Sequence, residues 1–289
     1  MSHSRVAELV DLLTLERLED NLFRGQSRDI GTRYVFGGQV LGQALSAAQK
    51  TVDPARQAHS LHGYFVRAGD IEAPIVYQVE RARDGHSFSV RRVVAIQHGK
   101  TILNCAVSFQ VEEPGFEHQA SMPEVPKPED IEPQPPMTIE QLAKFPVKLQ
   151  RWLGMDSPFE FRKVWPRNEF KPEKRPPYQH IWFRLTESVD ASPALQRALL
   201  AYASDFHLIG TVTLPHGISY LSHNVQMASL DHAMWFHRPF RVDEWLLYTF
   251  DSPTAQGARG LARGMIFKRD GTLVASTAQE GLVRLRDED

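Results

Sequence analysis

Two stretches of the sequence resemble each other at a nearly constant offset, and this repeat constrains the fold more than any other feature. SLHGYFVRAGD occupies residues 60–70, SLDHAMWFHRPF occupies residues 229–240, and both contain the pattern Phe-x-Arg. A glycine turn follows each pattern at a similar distance, His98-Gly99 in the first half and Asp270-Gly271 in the second. The sequence therefore predicts two copies of one domain.

Both glycine turns lie between strand-like runs, which is the pattern of a β-hairpin. Arg67 to Gly99 spans 32 positions and Arg238 to Gly271 spans 33, so the register of the repeat nearly holds. Asp-Gly is a strong signal for a type I′ turn, because both central residues of that turn need positive φ, and His-Gly is a weaker one. We therefore expect two hairpins, with the type I′ turn predicted more strongly at Asp270-Gly271.

Each half also contains one sequence typical of a long helix. Residues 38–50 and 193–207 carry apolar side chains at helical spacing. Ser192 is a candidate N-cap for the second helix, and Pro193 occupies its first position. Strand signals follow both helices, most clearly at 102–111, where apolar and polar side chains alternate. A helix followed by antiparallel strands, twice over, predicts an α+β fold in which each half wraps a curved sheet around a helix.

The middle of the chain has the composition of a connection. Residues 112–158 hold nine of the 19 prolines, and proline is excluded from central strands and from helix interiors. We therefore predict an N-terminal domain at residues 1–113, a proline-rich linker at 114–157 and a C-terminal domain at 158–289. A capping-box pattern from Thr138 to Gln141 predicts one short helix within the linker.

Composition and charge narrow the class of protein. A formal net charge of -2 does not favour a nucleic-acid-binding protein. No apolar run reaches the roughly 18 residues that a membrane span needs. Residues 1–20 carry acidic side chains where a signal peptide needs a basic start and an apolar core. We therefore expect a bacterial cytoplasmic protein that neither binds nucleic acid nor spans a membrane.

Two familiar chemical signatures are missing from the sequence. The absence of a G-x-S-x-G motif argues against the α/β-hydrolase route to ester hydrolysis. The single cysteine, Cys105, excludes an internal disulfide and a cysteine-rich zinc site. Because Cys105 falls on the apolar side of the alternating run 102–111, we expect it to be buried and slow to react with thiol reagents.

Several histidines lie close enough in sequence to suggest a metal site. His59 and His62 form a His-x-x-His pattern, and His232 and His237 follow Asp231. Zinc needs three or four ligands held by further hydrogen bonds, and no third cluster has a fitting spacing. We therefore expect no metal and no cofactor, and we interpret these histidines as structural or hydrogen-bonding residues.

Asp205 is the acidic residue best placed for catalysis. It ends the motif AYASD at 201–205, where it borders the apolar stripe of the second predicted helix beside small residues. The helix dipole disfavours a carboxylate near a helix C-terminus, which argues for a role, although an ion-paired or capping aspartate is the alternative. Residues 33–50, the region of the first predicted helix, contain no Asp or Glu. Of the two long predicted helices, only the second carries a carboxylate.

Nine motifs in a fixed order extend the comparison to nearly the whole chain. They are FRGQS (23–27), FGGQVLGQAL (36–45), HSLHGYFVRAGD (59–70), DGHSFSVRRVVAIQHGK (84–100), SFQ with GFEHQ (108–119), AYASD (201–205), SLDHAMWFHRPF (229–240), EWLLY (244–248) and ASTAQEG (275–281). Together they resemble the acyl-CoA thioesterase II (TesB-like) family. The resemblance implies a double hotdog fold, two fused hotdog domains that each wrap a curved antiparallel sheet around a long helix. It also implies hydrolysis of fatty acyl-CoA to free fatty acid and CoA.

The resemblance further implies a set of catalytic residues. The family is described as holding the nucleophilic water with an aspartate, a threonine and a glutamine, and the aspartate and glutamine correspond to Asp205 and Gln279. The threonine position is Ser229 in this chain, which keeps the hydroxyl but loses the methyl that fixes the rotamer. We expect the mechanism to survive with a more loosely placed water. The backbone N–H groups of Gly37-Gly38 are candidate donors to the oxyanion.

Two other functions stay open at this point. The segment Asp205-Phe206-His207 is similar to the aspartate and histidine of double-hotdog hydratases and dehydratases, whose reaction leaves the thioester intact. The second alternative is an inert acyl-CoA-binding module, although the presence of Asp205, Ser229 and Gln279 argues against it. Release of a free thiol distinguishes hydrolysis from both.

The substrate and the assembly are also expectations of this resemblance. We expect medium- to long-chain fatty acyl-CoA as the substrate, and a homo-oligomer, a dimer or a tetramer, because hotdog sheets expose edges and apolar faces. The CoA phosphates need basic partners, although any one of the candidates is more simply an ordinary solvated charge. These candidates are Arg81, Arg83, Arg91, Arg92 and the segment 171–175.

Overall fold

The computed structural model describes residues 4–133, 137–143, 150, 157–222 and 224–286. The elements of the first half are α1 (Arg5–Leu13), β1 (Glu16–Glu19), β2 (Leu22–Gly25), α2 (Gly37–Gln49), β3 (Gln57–Phe65), β4 (Ile75–Asp84), β5 (Phe88–Gln97) and β6 (Lys100–Gln110). A 3₁₀ turn (Pro128–Asp130) and α3 (Ile139–Leu142) follow. The second half contains β7 (Phe159–Lys163), β8 (Tyr178–Leu185), α4 (Pro193–Ser204), a 3₁₀ helix (Ile209–His216), β9 (Val225–Ser229), β10 (Asp231–Phe236), β11 (Leu246–Gln256), β12 (Arg259–Lys268) and β13 (Leu273–Leu285).

The strands form one continuous antiparallel sheet. Their order is β1-β2-β4-β5-β6-β3-β10-β13-β12-β11-β8-β7, with β9 paired to the far end of β13. The helices α2 and α4 pack against each other, and α2 also packs on β3, β4, β5 and β6. This is the α+β architecture predicted from the repeated order of helix and strands.

The centre of the sheet shows how the two halves are related. His62 lies opposite Ala233 where β3 pairs with β10. These two residues are 171 positions apart, and so are Phe65 and Phe236, which the Phe-x-Arg repeat equates. Antiparallel strands whose opposed residues are repeat equivalents are related by a local two-fold axis. The predicted duplication therefore has a structural counterpart, while the domain limits 1–113 and 158–289 remain a proposal.

Helices α2 and α4 approach each other closely at glycine positions. A Cβ atom on Gly38 would lie 2.3 Å from the backbone oxygen of Tyr202, and one on Gly42 would lie 3.0 Å from that of Ala198. Contacts of this length are shorter than van der Waals separation, so only glycine permits this helix crossing. The glycines of FGGQVLGQAL therefore fix the spacing of the two helices.

The second helix ends earlier than its sequence predicts. Ser192 caps it as predicted, since its hydroxyl accepts the Leu195 N–H, but the helix stops at Ser204 rather than at residue 207. The backbone of His207 has a φ of 65°, in the left-handed region that cannot continue an α-helix. Asp205 consequently lies at the C-cap position, directly after the last helical residue.

The two hairpins differ in a way that the sequence pattern did not predict. His98 and Gly99 have φ values of 48° and 69°, both positive as a type I′ turn requires. Of the pair Asp270 and Gly271, only Gly271 has positive φ, so the stronger type I′ prediction was wrong. Lys268 N–H donates to the Thr272 carbonyl across a three-residue loop, one residue longer than the first hairpin. This extra residue accounts for the spacing of 33 rather than 32.

The proline-rich segment packs against the second half of the sheet. Met122, Val125 and Ile131 lie against a cluster on β8, β11 and β12 that includes Trp182 and Phe267. The Trp182 indole N–H donates to the Pro126 carbonyl at 2.9 Å. The predicted short helix corresponds to α3. The segment is therefore bound to the sheet surface over this stretch rather than a free connection.

Cys105 is buried, as its strand position predicts, and burial raises the pKa of its thiol to about 12. No helix within the described ranges is long and apolar enough to cross a membrane.

Candidate active site

The carboxylate of Asp205 lies between the two halves of the molecule. Its side chain is 6% exposed. Oδ2 accepts the backbone N–H of Gly38 at 2.9 Å, and Oδ1 accepts the Gln279 amide at 2.7 Å. The Gly38 donor belongs to the N-terminus of α2, where free N–H groups and the helix dipole favour an anion. The first half therefore supplies a hydrogen-bond donor to the carboxylate at the C-cap of α4 in the second half.

The glycine pair of α2 makes room for this carboxylate. A Cβ atom on Gly37 would lie 2.7 Å from Asp205 Oδ2, shorter than any normal contact between carbon and oxygen. The Gly38 N–H, predicted as an oxyanion donor, is instead directed at Asp205. The FGG motif thus shapes the aspartate site.

Burial governs the proton affinity of Asp205. Desolvation raises the pKa of the carboxyl above its ordinary value, and the hydrogen bonds from Gln279 and Gly38 partly oppose this shift. Removing a carboxylate from water disfavours its charged form, whereas donors facing it favour that form. A carboxylate whose pKa is raised is a better proton acceptor near neutral pH than an exposed aspartate.

Gln279 extends from β13 and is 1% exposed. Its amide nitrogen lies 2.7 Å from Asp205 Oδ1 and 3.2 Å from His232 Nδ1. Its carbonyl oxygen Oε1 is buried and has no hydrogen-bond partner within the described part of the chain. A buried acceptor without a partner costs free energy unless something occupies it. Oε1 is therefore an open acceptor beside the buried carboxylate.

His232 is the site residue that sequence analysis missed. The sequence predicted a structural or hydrogen-bonding histidine but gave no link to Asp205; in the structure its Nδ1 lies 3.8 Å from Asp205 Oδ1, and its Nε2 lies 2.9 Å from Ser204 Oγ. Burial lowers the pKa of His232 to about 4, opposed by the neighbouring charge of Asp231. The available signal was alternation, because His232 shares the buried face of β10 with Met234 and Phe236.

Ser229 lies at the end of β9, opposite Gly281 of β13. Opposed residues of an antiparallel pair share a face with those two positions along, so Ser229 and Gln279 lie on the same face. Diagonal neighbours of this kind are roughly 7–8 Å apart, a gap that one bridging water can fill. No hydrogen bond of the described residues joins Ser229 to Asp205 or Gln279. The structure thus brings Asp205 and Gln279 into direct contact and places Ser229 beside them.

The remaining histidine candidates lie elsewhere. His59 Nε2 contacts Ser108 Oγ at 2.8 Å, and the exposed ring of His62 packs edge-on against Trp235. His207 packs edge-on against Phe161. Over the ranges that the structure describes, no group of three or more His, Cys, Asp or Glu side chains is arranged to hold a metal ion.

The first half carries a buried arginine opposite the position that corresponds to Gln279. In the first half, Arg91 of β5 pairs with Val107 of β6, and in the second half Ala262 of β12 pairs with Gln279 of β13. Arg91 and Ala262 are 171 positions apart, so the repeat equates them. Arg91 is 1% exposed and donates to Thr51, just after α2, and to Asp84. Its prediction as a CoA-phosphate partner or a solvated charge was wrong, because its guanidinium is buried. By this register, Val107 corresponds to Gln279, and the buried Arg91 corresponds to Ala262.

Comparisons with known proteins agree with this architecture. A family model described as acyl-CoA thioesterase matches residues 151–282, and one described as acyl-CoA thioesterase N-terminal domain matches residues 25–110. Acyl-CoA thioesterase 2 of Haemophilus influenzae is 44% identical over 96% of this chain and 98% of its own.

Solved structures give the same result. Acyl-CoA thioesterase II TesB2 of Mycobacterium marinum superposes with a TM-score of 0.79 at 39% identity, covering 98% of this chain and 99% of the other. A hot dog fold protein of unknown function from Alicyclobacillus acidocaldarius superposes with a TM-score of 0.78 at 18% identity, covering 99% and 100%. This second likeness concerns the fold alone.

The fold is thus a double hotdog, two helix-wrapping sheets joined edge to edge, with one buried carboxylate between them. The chain belongs to the acyl-CoA thioesterase family and is therefore a thioester hydrolase.

Proposed function

We propose that this protein hydrolyses medium- to long-chain fatty acyl-CoA to free fatty acid and CoA, using a water held by Asp205, Ser229 and Gln279. The observation that carries the proposal is the contact of the buried Asp205 carboxylate with the Gln279 amide, whose Oε1 remains an open acceptor. A water donating one hydrogen to Asp205 and the other to Oε1 presents an oxygen lone pair for attack.

In the proposed reaction, Asp205 takes a proton from the water while the water oxygen bonds to the thioester carbonyl carbon. The carbon–sulfur bond then breaks, its electron pair leaves with the sulfur, and the proton held by Asp205 passes to this thiolate of CoA, which returns Asp205 to its ionised form. General-base catalysis of this kind contributes roughly 10²–10⁴ in rate. Ser229 can donate to or accept from the same water, so it helps to position the nucleophile. The site needs no acyl-enzyme intermediate.

A partly exposed apolar surface beside Asp205 supports an acyl substrate. Phe36 and Phe206 contact each other with ring centroids 4.6 Å apart, next to the Gly37 position that faces Asp205. Phe65 borders Gly37 as well, and Phe161 packs against Phe206. All four rings are only partly buried against the core. An alkyl chain that covers them would gain roughly 25 cal/mol for each Å² of apolar surface removed from water.

The test is a steady-state assay in which a thiol-reactive dye reports free CoA from acyl-CoAs of graded chain length. We expect kcat/KM to rise with chain length from short to medium and long substrates. Hydration of an unsaturated acyl-CoA without thiol release would support the hydratase alternative, and saturable binding without turnover would support an inert binding module. Highest activity on acetyl-CoA would contradict the chain-length proposal.

We also propose that the chain functions in the cytoplasm as a homo-oligomer, a dimer or a tetramer. Strands β1 and β7 are the edges of the sheet, and Tyr64 on the central strand β3 is 67% exposed. Unpaired strand edges and exposed aromatic side chains favour self-association. Light scattering at micromolar concentrations is expected to give a mass of two or four chains, and a monomer at every concentration would contradict this.

A further inference from the structure

His232 lies behind the proposed catalytic glutamine, and both of its ring nitrogens have partners. Nδ1 faces the Gln279 amide nitrogen at 3.2 Å, and Nε2 faces Ser204 Oγ at 2.9 Å. The ring is 1% exposed, so these contacts replace water entirely. A buried histidine with both nitrogens engaged is unsuited to taking a proton from a water, because neither nitrogen has a free lone pair directed at the site.

The direction of each hydrogen bond follows from the carboxylate. Ionised Asp205 can only accept, so the Gln279 atom 2.7 Å from Oδ1 must be the amide nitrogen. That nitrogen carries two hydrogens, and the second is directed at His232 Nδ1, which must then lack a proton. The proton of the neutral ring is therefore on Nε2, which donates to Ser204 Oγ, and Ser204 donates to the Ala201 carbonyl.

We propose that His232 is a positioning residue that accepts the second amide hydrogen of Gln279 and so holds Gln279 Oε1 towards the nucleophilic water. This inference rests on the function proposed above. Asp205 by itself restrains only one of the two amide hydrogens, and the amide could swing about that bond. Two acceptors on either side of one NH₂ group leave a single orientation, with Oε1 on the remaining side.

The electrostatic surroundings of His232 agree with a neutral ring. The charged groups near it are Asp205, with Oδ1 at 3.8 Å, and the adjacent Asp231. Burial nevertheless keeps the pKa of the imidazole well below neutral. A protonated ring would turn Nδ1 into a donor, which would repel the amide hydrogens and pair with Asp205 instead. The positioning role therefore belongs to the neutral ring.

Two substitutions separate this role from simple packing. In His232→Asn the side-chain oxygen can occupy the place of Nδ1 and accept from Gln279, whereas in His232→Gln the amide reaches Ser204 and leaves the place of Nδ1 empty. We expect His232→Asn to keep kcat within a few fold of wild type and His232→Gln to lower kcat roughly tenfold or more, the value of one lost hydrogen bond, with KM unchanged. A packing role gives the opposite order, since glutamine fills more of the cavity.

His59 provides the matched control, because its Nε2 also contacts a serine hydroxyl, while its described contacts are with Ser108 and Phe88 rather than with the proposed site. His59→Asn and His59→Gln are expected to leave kcat unchanged. Asp205→Asn is measured in parallel. If Asp205→Asn is inactive while His232→Gln is as active as His232→Asn, the positioning role is wrong and the proposed function stands. If Asp205→Asn is fully active, the proposed function is wrong as well.

A spectroscopic measurement on the wild-type protein keeps the proposal testable if a variant fails to fold. Nitrogen-15 NMR of histidine-labelled protein distinguishes the two neutral tautomers and the imidazolium. We expect His232 at pH 7 to be neutral with its proton on Nε2. A proton on Nδ1, in either the neutral or the charged ring, would overturn the proposal.

Discussion

Asp205 lies at a helix C-terminus, where the dipole of α4 opposes a negative charge. The N-terminus of α2 offsets this opposition, because its Gly38 N–H is directed at the carboxylate. The helix of one half thus compensates for the charge carried by the other. The net outcome of burial and these donors is a raised pKa, the property that a general base needs.

Substitution of Asp205, Gln279 and Ser229 tests the proposal that they hold the nucleophilic water. We expect Asp205→Asn to lower kcat by ~10²–10⁴-fold with little change in KM, because it removes the general base. Gln279→Ala and Ser229→Ala remove neutral hydrogen bonds, so each is expected to cost less, roughly tenfold to a few hundredfold. Because the proposed mechanism has all three residues hold one water, the combined loss should be smaller than the product of the single losses. Ser229→Thr, the control that restores the methyl, should be at least as active as wild type.

The pH dependence of kcat follows from the sign of the Asp205 shift. The carboxyl must be ionised to act as a base, so kcat should fall as the pH decreases through its pKa. Since that pKa is raised in the folded protein, the fall should begin at a higher pH than an exposed aspartate would give. An acid limb centred at or below the ordinary aspartate value of about 4 would contradict the assignment.

Cys105 has a prediction of its own at this scale. Burial raises the pKa of its thiol to about 12, and the thiolate is the reactive form, so labelling of native protein should be slow. Labelling with a thiol reagent, in the presence and absence of denaturant, measures the ratio of the two labelling rates. Complete labelling of the native protein within the time needed for the denatured chain would contradict the burial of β6.

At the scale of elements, the crossing of α2 and α4 holds the site together. Gly38 faces the backbone of Tyr202 one turn before Asp205, so the same close approach that needs glycine also brings the α2 N-terminus to the carboxylate. The central pairing of β3 with β10 fixes the two halves relative to each other. Packing of the helices and pairing of the strands therefore both hold the α2 N-terminus next to Asp205.

Gly38→Ala tests this crossing. The added methyl would lie 2.3 Å from the Tyr202 carbonyl oxygen, so the helices must separate, and we expect a loss of about 1–3 kcal/mol in the free energy of unfolding. Activity should fall as well, because the Gly38 donor moves away from Asp205. Gly115→Ala is the control, since its methyl would meet no described atom within 4 Å. Urea unfolding of both variants measures the difference, and equal stability would contradict the close crossing.

At the scale of the whole molecule, the two halves differ in the residues that they place at the proposed site. The second half carries Asp205 and Gln279 at the interface, whereas the first half has Val107 at the position that corresponds to Gln279 and a buried, hydrogen-bonded Arg91 opposite it. An arginine buried in this way needs its acceptors, since an unpaired buried charge costs several kcal/mol. Because the first half has no counterpart of Gln279 and no Asp or Glu in residues 33–50, we expect one site per chain.

The stability of the molecule should depend on pH through its buried histidines. The pKa of His232 is about 4 in the fold and about 6.5 in an unfolded chain, so between these values the unfolded state binds more protons. This contribution to stability is complete above pH 6.5 and is lost as the pH falls towards 4, at no more than about 1.4 kcal/mol per pH unit. In thermal melts from pH 7 to 4.5, the Tm of wild type should fall more steeply with decreasing pH than the Tm of His232→Asn. Parallel curves would contradict a neutral buried imidazole.

Local sequence patterns were sufficient to predict much of the fold and part of the proposed site. The Phe-x-Arg repeat predicted the duplication, helical spacing located α2 and α4, and alternation predicted the burial of Cys105. Helical spacing also placed Asp205 at the border of the apolar stripe of α4. These features depend on residues close together in the chain, so periodicity and capping residues report them directly.

Tertiary structure decided what depends on residues far apart. The early end of α4, the contact between His232 and Gln279 and the burial of Arg91 each arise from packing between strands and helices that are distant in sequence. A histidine, glutamine or arginine reads the same in a sequence whether water or a buried partner satisfies it. Which of the two applies is determined only when the strands β5, β10 and β13 bring those side chains out of water and against their partners.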